Sequence, residues 1–171
     1  LVTTLVKGKT IEEAAQIKNS DIAEELARRG VTTGGRHQAQ MHELFRRMVF
    51  NILIDNTDDH EKNHALVRGD DGFYALSPAF DVLPSAQGLG YQQMRVGAQG
   101  HETSIANALS EARAFGLSDA QARQTVSEIS TQVAQWKTVF KHLHVRDADM
   151  DLLAQYLDGV ALSGQRQRGM E

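Results

Sequence analysis

Asp58, His60, Lys62, Asn63 and His64 crowd into the single stretch DDHEKNH, three residues behind the apolar run MVFNILI, and Asp81 follows in PAFD. Three readings are open to such a set. It could be an ordinary polar surface loop. His60 and His64, four residues apart, would with Asp58 suit a metal-dependent hydrolase, although no distant third histidine stands out. The third reading is phosphoryl transfer, which needs positioning and charge neutralisation more than covalent chemistry. One Asp orients and deprotonates the acceptor hydroxyl, an Asn five residues later ligates magnesium, and a further Asp beyond a hairpin ligates it between the phosphates. Asp58 and Asn63 have that D-x-x-x-x-N spacing, and Asp81 lies where the further Asp belongs.

Two other motifs fail on inspection. KGKT, residues 7 to 10, looks like the end of a phosphate-binding P-loop, but the glycine required five positions before Gly8 is Thr3. DADMD, residues 147 to 151, opens like a calcium loop, but Leu152 stands where the sharp turn demands glycine. Aspartates in the first turn of a helix, at its positive end, explain that run better.

The elements that must position these residues read mainly as helix. Met41, Leu44, Phe45, Met48 and Ile52 make a helical stripe. Toward its end this helix turns apolar nearly all round, as a buried helix does, so it should deliver DNTDDHEKN from the interior to the surface on a rigid mounting. HALVR and FYAL around GDDG predict a β-hairpin. The stretch from Pro78 to about Gly100 reads as a long loop, with a short strand at QMRVG.

Shorter helices are expected over IEEAAQI, behind a Thr10/Glu13 capping box, and from about Asp21 to Arg29, with Gly30 as the stop before a VTTGG loop. Ile105, Leu109, Ala112 and Phe115 form another stripe, ended by Gly116. Ser118 and Gln121 form a capping box that opens a long helix carrying Ala122, Val126, Ile129, Val133, Trp136 and Phe140. Met150, Leu153 and Leu157 mark a final helix, and GQRQRGME reads as a frayed end.

Composition narrows the class. A length of 171 residues fits one domain, 1–171, with a real core, and the hydrophobic share of 41% argues against wholesale disorder. A net charge of −4 gives no case for a nucleic-acid-binding surface. The absence of cysteine excludes disulfides and thiolate metal sites and is compatible with a reducing cytoplasm. No apolar run reaches the roughly 18 residues of a membrane span, and LVTTLVKGKT is not a secretory signal. The chain begins at Leu1 rather than Met, so the expectation is that it belongs to a longer protein.

RRMVFNILIDNTDDHEKNHALV followed by YALSPAFDVLP closely resembles the HipA-like family of bacterial serine/threonine kinases, the toxin halves of toxin–antitoxin modules. The likeness continues through SIANALSEARAFGLS and VAQW, so it covers the chain from about residue 20 onward. It implies a kinase-like C-terminal lobe, a helical bundle whose small hairpin carries the metal-binding loop. By that resemblance Asp58 is the catalytic base and Asn63 and Asp81 are magnesium ligands. His60 shapes the loop or contacts a phosphate, as in the similar D-x-H-x-x-N form of phosphatidylinositol kinases, and Lys62 contacts a phosphate. Asp59 competes with Asp58, and the five-residue spacing to Asn63 decides for Asp58.

The family further implies ATP and Mg2+ as cofactors and transfer of the γ-phosphate to a protein Ser or Thr, with a glutamyl-tRNA synthetase as family precedent. It also implies a HipB-like, DNA-binding antitoxin as partner, a cytoplasmic location, and no direct contact of this chain with nucleic acid or membrane. Members carry an N-terminal lobe with a phosphate-covering loop and an ATP-contacting lysine, for which there is no room before Leu1. The expectation is therefore that this piece alone has little kinase activity and a larger parent has it. The alternative is a non-catalytic fragment that binds an antitoxin or another protein.

Overall fold

A computed structural model describes residues 18–28, 34–85 and 89–171. The expected helix over IEEAAQI, the KGKT motif, Gly30 and the first residues of the VTTGG loop lie outside them. Among the described residues the architecture is mainly helical with one two-stranded antiparallel sheet. The helices are α1 (Asn19–Arg28), α2 (His37–Leu53), α3 (Ile105–Ser110), α4 (Asp119–Ala134), α5 (Trp136–His142), α6 (Asp147–Leu157) and α7 (Val160–Met170). The strands are β1 (Leu66–Arg68) and β2 (Tyr74–Leu76), in register Leu66 to Leu76.

Helix α2 is the axis of the core. Its predicted stripe, Met41, Leu44, Phe45, Met48 and Ile52, is buried together with Val49 and Leu53, and packs against α1 and α4. Phe45 meets Phe115 edge to face, ring centroids 5.4 Å apart, a contact that adds about 0.5–1.5 kcal/mol beyond the area it buries.

The hairpin is held to the same helix by polar side chains. The amide of buried Gln40 accepts from Leu76 N at 3.0 Å and donates to Tyr74 O at 3.4 Å, occupying the backbone groups of β2. Arg47, also on α2, donates to Ser77 O at 2.8 Å just past the strand. A two-stranded sheet is marginal alone in water, and these bonds give this one a support.

Sequence expectation and structure part company in four places. QMRVG forms no strand, only isolated bridges such as Lys18 with Arg95 and Gly97 with Gly100. Fully buried Asn107 organises this region instead, donating to Gly100 O and Glu102 O and accepting from Gln99 N. The stripe from Ile105 to Phe115 breaks at Glu111, whose carboxylate receives Lys18 at 3.2 Å and Ser20 at 2.7 Å, and a 3-10 turn, Ala112–Phe115, follows. The helix opened by the Ser118/Gln121 capping box stops at Ala134, and Trp136 starts α5.

The fourth difference is the largest. GQRQRGM is not frayed but completes α7, which lies along α4 with Leu162, Arg166 and Gly169 buried. A Cβ at Gly169 would run into Ser130 Oγ of α4, so the missing side chain permits the close approach.

Candidate active site

The loop after α2 begins with a defined stop. Asn56 N donates to Asn51 O at 2.9 Å and Asp55 N to Ile52 O at 3.4 Å, the paired bonds of a Schellman motif, with Asp55 at φ 58° in its left-handed position. Aspartate tolerates that conformation better than most residues. Asn56 also donates its side-chain amide to Asn51 Oδ1 at 3.2 Å. The chain direction leaving the helix is thus set by the helix itself.

Only a small part of the loop reaches the surface. Asp55, Asn56, Thr57, Asp59, Asn63 and His64 are buried, whereas Asp58 and Lys62 are exposed and His60 is half-buried. This corrects the expectation that α2 delivers the whole polar burst to the surface, and it separates the two adjacent aspartates by environment. His64 Nε2 lies 3.2 Å from Asp59 Oδ1, a close polar contact whose geometry falls short of a hydrogen bond. Asn63 closes a 3-10 turn, Glu61–Asn63, through Asn63 N to His60 O at 2.9 Å. The Nδ1 atom of His60 is buried and makes no hydrogen bond.

Asp81 sits beyond the hairpin, exposed, with φ at 56°. A non-glycine residue in that region costs of order 1 kcal/mol and persists where the surroundings over-determine it. What fixes this segment is Ser85. Its Oγ donates to Asp55 O at 2.8 Å and accepts from Thr57 N at 2.7 Å and Thr57 Oγ1 at 2.8 Å, while Ser85 N also donates to Asp55 O at 2.9 Å. The segment carrying Asp81 is therefore sewn to the residues immediately before Asp58.

Beside this junction lies a cavity of about 330 Å3. Asn63, Asp59 and His64 line it from the loop, Phe80 and Val82 from either side of Asp81, and Arg47 from α2. Asn63 and the neighbours of Asp81 thus share one cavity wall, whereas Asp58, His60, Lys62 and Asp81 itself do not line it.

Asn63 and Asp81, the magnesium ligands expected from the sequence, can each offer an oxygen, the ligand type magnesium takes, and magnesium is commonly held by one or two carboxylates plus substrate phosphates. Among the described residues no three His, Cys, Asp or Glu side chains are grouped to hold a metal, so the His60/His64 hydrolase gains no support. His64 is instead committed to Asp59. Spacing singled out Asp58, Asn63 and Asp81 but missed Ser85, Thr57 and the Asp59–His64 pair, whose partners are known only once the chain is folded.

Fold and site together define a mainly helical domain in which the segment after a small hairpin is bonded to a largely buried polar loop. Residues 7–136 match the model of the HipA-like C-terminal domain, and the chain belongs to that family. It is similar to the protein named "Putative kinase Y4dM" of Sinorhizobium fredii (strain NBRC 101917 / NGR234), 49% identical over 45 residues, which are 26% of this chain and 11% of that protein. Its fold is similar to a chain in the Shewanella oneidensis MR-1 toxin–antitoxin complex of HipA, HipB and operator DNA. The TM-score there is 0.63 at 13% identity, over 95% of this chain and 38% of that one. The chain thus spans well under half the length of either protein. No helix among the described residues is long and apolar enough to cross a membrane.

Proposed function

We propose that this chain is the catalytic C-terminal lobe of a HipA-like serine/threonine protein kinase, and that its loops form the metal-binding half of a phosphoryl-transfer site. The observation that carries this reading is the Ser85 junction. It joins the Asp58 loop to the Asp81 segment while leaving both carboxylates exposed. The junction fixes the backbone on which both acidic side chains are carried and leaves them where a substrate can reach them.

In this reading Asp58 orients the Ser or Thr hydroxyl and takes its proton, a role for which an exposed carboxylate beside a rigid backbone is suited. Asn63 and Asp81 are the oxygen donors that would hold magnesium. Lys62, exposed beside Asn63, supplies positive charge for a phosphate oxygen, and half-buried His60 shapes the turn between them. ATP with Mg2+ supplies the transferable phosphoryl group and neutralises its charge. The substrate is a protein hydroxyl, with an aminoacyl-tRNA synthetase as the family precedent. The partner is a HipB-like antitoxin, in line with the complex that contains the similar fold.

The test uses the full natural chain that carries this domain, with magnesium and γ-labelled ATP, in a cell lysate. Label should pass to protein and disappear with Asp58→Asn. Equal labelling by the two proteins, or none from either with both folded, overturns the reading.

A further inference from the structure

We infer that Ser85 is a positioning residue that sets the separation of the two metal-side elements, the loop ending at Asn63 and the strained backbone at Asp81. The inference deepens the kinase reading and rests on it. Ser85 contacts neither the reacting groups nor the metal ligands themselves. It acts through Asp55 and Thr57 on one side and through the short chain from Asp81 on the other.

The hydroxyl at Ser85 is used to capacity. A serine Oγ has one proton to give and two lone pairs to receive. Here the proton goes to Asp55 O, and the lone pairs take Thr57 N and Thr57 Oγ1. Each of these groups needs a partner in its own right: Thr57 is buried, and Asp55 is buried at the left-handed end of α2. With Ser85 N also bound to Asp55 O, four hydrogen bonds converge on one residue. A fifth bond, from Gln93 N to Thr57 O at 3.1 Å, extends the clasp to the next segment.

The consequence is geometric. Asp81 lies four residues before Ser85, and Asp58 follows Thr57 directly. The backbone at either aspartate cannot shift along the chain without straining the Ser85 bonds. Arg47 holds the other end of the Asp81 segment through Ser77 O at 2.8 Å, so the segment is pinned at both ends. A positive φ at Asp81 is maintained where both flanks are fixed in this way.

Substituting Ser85 separates this role from general stability. Mn2+ with ATP serves as the probe, its binding to the full natural chain measured by electron paramagnetic resonance and the magnesium concentration for half-maximal phosphoryl transfer measured alongside. Ser85→Ala should weaken Mn2+–ATP binding and raise the magnesium requirement by about tenfold, the scale on which supporting residues act on metal sites. Ser85→Thr, which keeps the hydroxyl, should restore most of both. A variant that melts lower yet binds Mn2+–ATP as the wild type does would overturn the inference and leave the kinase reading standing. Wild-type protein that binds no Mn2+–ATP would overturn both. Should Ser85→Ala fail to fold, Thr57→Val, which deletes only one of the four bonds, takes its place with a smaller shift in the same direction, and no shift refutes the role.

Discussion

His64 Nε2 stands 3.2 Å from Asp59 Oδ1 with both side chains almost sealed from solvent, while Asp58, the residue before, is exposed to it. Two adjacent aspartates thus have opposite occupations. One is packed inside against a histidine, and the other is open to solvent. Burial without compensation is costly, so Asp59 belongs to the fold.

The two substitutions should therefore differ in kind. Asp58→Asn should leave stability within about 0.5 kcal/mol, because nothing buried depends on it. Phosphoryl transfer should fall by about 10²–10⁴-fold with loss of the base. Asp59→Ala removes the polar group 3.2 Å from buried His64 Nε2 and leaves a gap among buried side chains, and should cost about 1–3 kcal/mol of stability. Urea denaturation beside an ATP-labelling assay separates the two, and the reverse pattern would assign the catalytic role to Asp59.

Asp81 allows a second separation. Its left-handed backbone favours Asp or Asn, so Asp81→Asn should fold as the wild type does while losing a charged oxygen for the cation. Asp81→Ala loses the oxygen and should in addition pay of order 1 kcal/mol for the same backbone. Isothermal titration with magnesium and ATP should find both weakened, and thermal melts should find only Asp81→Ala less stable.

How much of this was legible beforehand depends on the kind of signal. Helix α2 carries its burial in the spacing of Met41, Leu44, Phe45, Met48 and Ile52, and α4 announces its start in the Ser118/Gln121 box, so both could be read from the chain. Helix α7 could not, because its inward face is Leu162, Arg166 and Gly169. The spacing is helical, but an arginine and a glycine do not register as an apolar stripe. Asp58, Asn63 and Asp81 follow from local spacing, whereas Ser85 meets Thr57 across 28 residues and nothing local encodes that meeting. Part of the burial of the DNTDDHEKN loop was hidden for the same reason, since Asp55 and Thr57 bond there to Ser85, distant in sequence.

Gly97 offers a test of the packing that supports the loop between the site and α3. A Cβ there would collide with the carbonyl oxygen of Asn107 and come within 2.6 Å of Ser110 Oγ and 2.8 Å of Asn107 Oδ1. The two side-chain oxygens accept from the backbone N–H groups of Ala98 and Gln99. Gly97→Ala should therefore destabilise by about 1–3 kcal/mol through overpacking, and more if the Asn107 bonds break. Hydrogen exchange over residues 97–104 would show the loss locally. An unchanged exchange pattern would mean that the turn opens without cost.

Acid provides the last test, where the last three helices meet. Asp158 closes α6 and gathers three helices. Trp136 Nε1 of α5 donates to Oδ1 at 3.0 Å, Lys137 pairs with Oδ2, and Arg166 of α7 lies 3.6 Å from Oδ1. Burial alone would raise its pKa, but the hydrogen bonds from Lys137 and Trp136 and the charges of Lys137 and Arg166 outweigh it and hold the carboxyl below its ordinary 3.8. A group depressed on folding stabilises the native state at pH values above its unfolded pKa and loses that contribution as pH falls through the folded one. Asp158→Asn should accordingly melt below the wild type by a constant margin from pH 7 down to about 5, a margin that narrows below about pH 4 as the carboxylate protonates. Added salt should shrink the margin as well, because Lys137 and Asp158 are partly exposed. A margin that persists unchanged at pH 2 would mean that shape and the Trp136 bond, rather than charge, hold these three helices together.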